Sequence, residues 1–364
     1  MIDRARDLAA RLAERFGLRS GDPLMPADLA RRSPTEVAAA HAVASAIRHL
    51  SEREAAFPRT AIYKVALDFG LPTAMSEIER RVAQLERQGA LQRGKGAERW
   101  LVTTAAAILT EQRIVAAIEE GRGRAPAIVP SDEAGARLQG LSQLKYGMTL
   151  NDGQEAAGRL LLSSHNRIVA IQGVAGAGKS TMLRPAADVL REEGRKVLGL
   201  AVQNTLVQML ERETGIEAMT VARFLKRHAN LLGGGDRAEL AAARREMRGT
   251  VVLLDEASMV GNSDKDKLVR LANLLELDRF AVIGDRKQLG AVDAGKPFDI
   301  MQQAGVETAV MNRNIRARQK DLALAQSAAQ GGHIEEALRH LGSNLVEVGE
   351  GAAIEAAAAW LALA

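Results

Sequence analysis

Gly173-Val-Ala-Gly-Ala-Gly178-Lys179-Ser180 has the residue types and spacing to grip a phosphate. Its glycines let backbone N–H groups turn inward around a β-phosphate, and a helix opening at its end adds a dipole of the right sign. Lys179 is placed to bridge β- and γ-phosphate oxygens, and Ser180 to ligate Mg²⁺. The apolar run Ile168–Gln172 precedes the loop and a helical pattern follows it, the context such a loop requires. A second group is Val251-Val-Leu-Leu-Asp255-Glu256, an apolar strand ending in two acids. Asp255 suits a Mg²⁺-holding carboxylate and Glu256 a base that polarises the attacking water. The adjacent glutamate points to a hydrolase rather than a small-molecule kinase, which has no water to activate. A third strand end, Ala281-Val-Ile-Gly284-Asp285-Arg-Lys-Gln288-Leu289, brings Gln288 toward a γ-phosphate. Arg318, at the head of a later helix, suits an arginine finger, with Arg313 and Arg316 as competing candidates.

Strand-like apolar runs recur at residues 168–172, 196–202, 250–254, 280–284, 308–311 and 344–348, with helical patterns between them. That alternation predicts an α/β fold: a parallel sheet covered by helices on both faces. The first 150 residues read differently. Ser33-Pro34-Thr35-Glu36 is a capping box opening a helix to about Ala56. A short helix near Ala61–Phe69 follows, then one capped by Ser76 and ended by Gly89, then two short strands around Gly94-Lys95-Gly96. Three helices and a hairpin make a mainly helical, winged-helix-like region over 1–120. Residues 121–149, rich in turn formers, are expected as a linker, and 150–364 as the α/β domain.

The chain carries 49 Lys and Arg against 45 Asp and Glu, a net charge of +4. Residues 1–150 hold 22 basic and 18 acidic side chains, whereas 151–364 hold 27 of each, so the whole excess lies in the first part. Arg80, Arg81 and Arg87 on the third helix, and Arg93, Lys95 and Arg99 in the wing, are the candidates to meet phosphates; a solvated surface is the equal alternative. Absence of cysteine excludes a disulfide scaffold, a cysteine-ligated metal and thiol chemistry. No apolar stretch exceeds nine residues, too short to span a bilayer. A cytoplasmic protein without membrane insertion is expected.

GVAGAGKST, LLDEASMVGN and GDRKQLGAVDAGKPF resemble motifs I, II and III of superfamily 1B DNA helicases, in particular the helicase part of TraI/TrwC-type conjugative relaxases, with RecD a more distant relative. Leu150-Asn-Asp-Gly-Gln154 resembles the family's Q-motif, Arg318-Gln319 its arginine motif IV, and Leu50-Ser-Glu-Arg-Glu-Ala-Ala-Phe the segment that joins relaxase to helicase. The resemblance implies a P-loop RecA-like domain binding ATP and Mg²⁺. Gly173, Gly176, Gly178, Lys179, Ser180 and Thr181 would then hold the nucleotide, Gln154 would read the adenine, and Asp255, Glu256, Gln288 and Arg318 would act in hydrolysis. Thr205 in motif Ia and Thr220 in motif Ib are implied DNA contacts. Phe298 is the aromatic inside a family motif, with Phe224 and Trp100 as other stacking candidates. Motif Ia departs from the family's Gly-Leu-x-Pro-Thr, reading Gly199-Leu-Ala-Val-Gln-Asn204-Thr205. The relaxase domain and the second RecA-like domain, with motifs V and VI, have no counterpart here. The expectation is therefore ATP and single-stranded DNA binding with weak hydrolysis, and no processive unwinding by this stretch alone. Implied partners are single-stranded DNA, a relaxase domain in a full-length chain and a type IV secretion coupling protein. A bacterial cytoplasmic location, with export to a recipient cell, is implied with them. The alternative reading is a single-stranded-DNA-binding and secretion-recognition module with little catalysis.

Overall fold

The computed structural model describes residues 21–286, 296–315 and 320–342. The N-terminal part holds helices α1 (Pro34–Arg53), α2 (Arg59–Asp68) and α3 (Met75–Arg87), and strands β1 (Ala56–Pro58), β2 (Leu91–Arg93) and β3 (Leu101–Thr104). Helix α1 starts where its capping box puts it: the Ser33 hydroxyl accepts from the Glu36 N–H, and the Glu36 carboxylate accepts from the Ser33 N–H. Helix α3 starts two residues earlier than expected. Ala74 is its N-cap and Ser76 lies inside it, because the residue before Met75 is already extended. The three strands form an antiparallel sheet in the order β1-β3-β2. Phe57, Ile62, Ile78, Val82, Leu85, Leu91 and Val102 close a small core between sheet and helices, the arrangement of a winged helix.

Helix α4 (Ala105–Glu120) follows β3 directly and leaves this unit. Its Ile114, Ala117 and Ile118 pack into the core of the α/β body. Residues 121–149, expected as a linker, carry a four-turn helix, α5 (Ser131–Tyr146), packed on α6 (Asp152–Ser163). The two helices approach so closely that a Cβ on Gly158 would stand 2.3 Å from Leu138 Cδ2.

The body continues with β4 (Ile168–Gly173), α7 (Lys179–Glu192), β5 (Lys196–Ala201), α8 (Asn204–Thr214), β6 (Ala218–Thr220), α9 (Val221–Arg227), α10 (Ala229–Leu232), α11 (Arg237–Met247), β7 (Thr250–Leu254), α12 (Asn262–Leu274), β8 (Arg279–Gly284), α13 (Pro297–Gln303), β9 (Thr308–Met311), α14 (Lys320–Gln330) and α15 (Ile334–Leu341). Six strands form one parallel sheet in the order β6-β5-β7-β8-β4-β9. β4, β7 and β8 are buried from end to end because helices cover both faces. Alternate residues serve alternate layers. Ile168, Ala170, Val252, Leu254, Phe280 and Val282 meet α4, α9, α12 and α13 on one side. Val169, Ile171, Val251, Leu253, Ala281 and Ile283 meet α5, α6, α7 and α8 on the other. This is the α/β, RecA-like architecture expected from the strand–helix alternation. Strand β6 has no counterpart among the expected runs; the expected strand at 344–348 lies outside the described residues. Beneath the sheet the fully buried Arg279 donates to the carbonyls of Leu161 at 3.2 Å and Pro126 at 3.1 Å, and to those of Ser164 and Asn166.

Candidate functional site

β8 lies between β4 and β7, so the phosphate-gripping loop after β4 and the acids after β7 are separated at the backbone by two strand spacings, roughly 10 Å. Long side chains close that distance. Lys179 Nζ lies 3.3 Å from Glu256 Oε1, and 3.5 Å from the Gly173 carbonyl to which it donates. The loop takes its shape from Gly176 and Gly178, both at φ 75°, a left-handed conformation that side chains disfavour. Gly178 caps α7, whose first turn carries Lys179, Ser180 and Thr181. Residues 175–181, Asp255 and Glu256 line one open cleft of about 690 Å³, with Met148, Arg184, Leu206, Met209, Glu213 and Ile315 on its other walls.

Glu256 adopts φ 45° without being a glycine. Such a conformation costs of order 1–3 kcal/mol and is retained where a side chain must be aimed. The short turn Ala257–Met259 follows at once, and from α12 the fully buried Lys265 donates to the Ala257 carbonyl at 3.1 Å. Asp255 is different. Its Oδ1 is buried without a hydrogen-bond partner among the described residues. Burial, reinforced by the neighbouring Glu256 carboxylate, pushes the Asp255 carboxyl above the ordinary carboxylate range. An orphaned carboxylate oxygen and a serine hydroxyl form a donor set suited to Mg²⁺, a hard cation that takes oxygen ligands. Ser180 Oγ itself donates to Glu213 Oε2 at 2.5 Å.

Gln154, the expected adenine reader, is 2% exposed and engaged at both ends of its amide. Its Oε1 accepts from the Asn151 N–H, and its Nε2 donates to the carbonyls of Ala177 at 3.2 Å and Gly178 at 3.3 Å. It therefore braces the glycine loop from behind. Gln172, missed in the sequence, does a similar task at the end of β4. It donates to Asp285 Oδ1 at 2.7 Å and accepts from Gln302 Nε2 at 3.1 Å, tying the ends of β4 and β8 to helix α13. A polar residue closing an otherwise apolar strand was the available signal. Gln288 and Arg318, like Arg316, lie outside the described residues; Arg313 is exposed on the loop after β9.

The implied DNA contacts scatter more widely. Thr205 is exposed in the first turn of α8. Thr220 caps α9, accepting from the Arg223 N–H at 3.2 Å. Phe298 does not offer its ring to a base: it is 2% exposed in the core. Phe224 is likewise buried, edge-on to His228, whereas Trp100 is exposed in the wing. In the wing, Lys95 and Arg99 are exposed, but Arg93 is held by Glu86 at 2.7 Å. Arg81 is buried and donates to the Leu24 carbonyl, so it faces no phosphate; Arg80 pairs with Glu77 and Arg87 remains exposed.

Residues 149–347 match the family described as the AAA domain. The chain is 29% identical over 317 residues to the multifunctional conjugation protein TraI of Escherichia coli strain K12, covering 84% of this chain and 17% of that protein. It is 30% identical over 191 residues to the conjugal transfer protein TraA of Rhizobium radiobacter, 50% of this chain and 16% of that protein. Against the ATP-dependent RecD2 DNA helicase of Deinococcus radiodurans the identity is 32% over 151 residues, 42% of this chain and 20% of the helicase. The chain thus spans about a sixth of the length of the conjugation proteins it resembles.

Proposed function

The chain belongs to the AAA domain family and carries a TraI-type superfamily 1B helicase-like region, and from that premise we propose that it is the ATP-binding half of a DNA helicase moving on single-stranded DNA during plasmid conjugation. The observation that carries the proposal is the meeting of Lys179 and Glu256, 3.3 Å apart, across the C-terminal ends of the parallel sheet. One residue faces the γ-phosphate as a cation, the other takes the proton of the attacking water. Gly176 and Gly178 aim backbone N–H groups at the phosphates, and the dipole of α7 adds to them. Ser180 and Asp255 would hold Mg²⁺, which neutralises charge on the β- and γ-phosphate oxygens when bound. Thr205 and Thr220, at the starts of α8 and α9, are proposed to touch the DNA backbone. Translocation needs a second domain closing and opening on the nucleotide, so in a longer protein this body supplies one jaw. Lys179→Ala tests the nucleotide site directly: ATP affinity by calorimetry should fall at least about 30-fold, the scale of losing a buried charge partner. Unchanged affinity would overturn the site.

A second reading, recognition by a type IV secretion coupling protein, draws on one feature. Leu67, Phe69, Leu71 and Met75 form an exposed apolar group around the α2–α3 loop, better suited to a protein surface than to phosphates. Secretion recognition should survive Lys179→Ala, whereas helicase work should not.

A further inference from the structure

Ser180 has one hydroxyl proton, and it goes to Glu213 rather than to Asp255. The 2.5 Å separation is that of a charge-assisted O–H···O⁻ bond, about twice as strong as a neutral one. Donating to a carboxylate fixes the hydroxyl rotor, turns both oxygen lone pairs away from Glu213 and enriches them in electron density. Glu213 stands in the last turn of α8, where the helix dipole opposes a negative charge. Its placement is nevertheless enforced from α7. Arg184 Nε donates to the Glu213 carbonyl, and Arg191 Nη2 donates to that of Gly215 at 2.6 Å, so the end of α8 is clamped to the helix that carries Ser180. Asp255 lines the same cleft, and its Oδ1 has no partner among the described residues.

From this arrangement we infer that Glu213 is a positioning residue for the metal site: it orients the Ser180 hydroxyl so that its lone pairs face a Mg²⁺ ion shared with Asp255. Outer partners of this kind hold a ligand's orientation and raise its basicity, and their loss typically weakens metal binding about 10- to 100-fold. The same glutamate joins the metal site to α8, whose opposite end carries Thr205, so the helix that holds the serine's partner is also the one proposed to meet DNA. The inference rests on the nucleotide-site reading above.

The test measures binding, not turnover. Affinity for the non-hydrolysable analogue AMP-PNP is determined by calorimetry in EDTA and across a Mg²⁺ titration for the wild-type chain, Glu213→Ala, Glu213→Gln, Ser180→Ala and the Ser180→Ala/Glu213→Ala double variant. Thermal melts check that each folds. In Glu213→Ala the tightening produced by Mg²⁺ should shrink about 10- to 100-fold while the affinity in EDTA stays within about twofold of wild type. Glu213→Gln should fall between, since its amide oxygen still accepts the proton without the charge. Adding Glu213→Ala to Ser180→Ala should bring no further loss, because the glutamate acts through the serine. A full Mg²⁺ effect in Glu213→Ala, equal losses with and without Mg²⁺, or additive losses in the double variant would each overturn the inference. A wild-type chain that binds no AMP-PNP at all would instead overturn the nucleotide site, and the inference with it.

Discussion

Asp255 sits at the mouth of a parallel sheet with one carboxylate oxygen unpartnered among the described residues and a second acid beside it. Its raised pKa means that the folded chain holds the proton more tightly than the unfolded chain does. As pH climbs from the ordinary carboxylate value through the folded one, the fold therefore loses stability at this residue. Asp255→Asn should remove that loss. In metal-free buffer the variant should melt above wild type at pH 7, by a margin that narrows as pH falls toward 5; Mg²⁺ with AMP-PNP should stabilise it far less than wild type. Thermal melts across pH and metal decide it, and a variant melting at or below wild type throughout would contradict the account. Asp255, Glu256 and Lys179 were legible because each belongs to a contiguous string whose spacing is set by phosphate chemistry. Glu213, Gln172 and the bracing role of Gln154 were not. Their partners lie in other segments, 33 residues away for Glu213 and Ser180, 113 for Gln172 and Asp285, and no local pattern records such a meeting.

Helix α12 shows how an element fixes the chemistry of its neighbour. Its outer side holds α4, through Arg113–Asp266 at 3.1 Å and Asn273 donating to the Ala117 carbonyl at 2.8 Å. Its inner side sends Lys265 under the turn that follows Glu256. Burial alone drives the Lys265 pKa down to about 7 from 10.5. Between those values the unfolded chain binds more protons than the folded one, so this lysine makes stability rise with pH across that window. Lys265→Met should flatten the rise and stabilise the chain at pH 7 by about 1 kcal/mol or more, as happens when buried charge gives way to apolar bulk. Denaturant titrations at pH 7 and 9 measure both effects, and a less stable variant with an unchanged pH slope would contradict them. Among elements, β4, β7 and β8 were legible as unbroken apolar runs because helices cover both their faces. β6 was not, being three half-buried residues at the sheet edge. Helix α5 was hidden by Gly135 and Gly140, which lower helix propensity; Gly135 lies tight against Glu155 in the neighbouring helix α6.

The molecule divides its charge unevenly: the excess of four lies in residues 1–150, while the body is neutral. Half of the six candidate cations are already committed within the chain, Arg93 to Glu86, Arg80 to Glu77 and Arg81 to a backbone carbonyl, which sequence could not reveal because the partners are set by packing. All of that set but Arg81 are exposed, and Lys95, Arg99 and Arg87 are the members that form no ion pair among the described residues. Reversing Lys95 and Arg99 to Glu should weaken single-stranded DNA binding and lower the log–log salt slope by about 0.7 for each phosphate no longer neutralised, with ATP affinity unchanged. Binding equal to wild type from 50 to 200 mM salt, roughly the range over which such charge pairing weakens, would assign the wing to another surface. Helix α4 ties that unit to the body, in whose cleft Lys179 and Glu256 are proposed to form a working ATP hydrolysis site. The most direct measurement compares wild type with Glu256→Gln by AMP-PNP calorimetry and by phosphate release from ATP, with and without single-stranded DNA. Affinity should be preserved within about twofold, because Lys179, Ser180 and Asp255 remain, and phosphate release should fall about 10²- to 10⁴-fold. Equal release by the variant would mean that Glu256 is not the base.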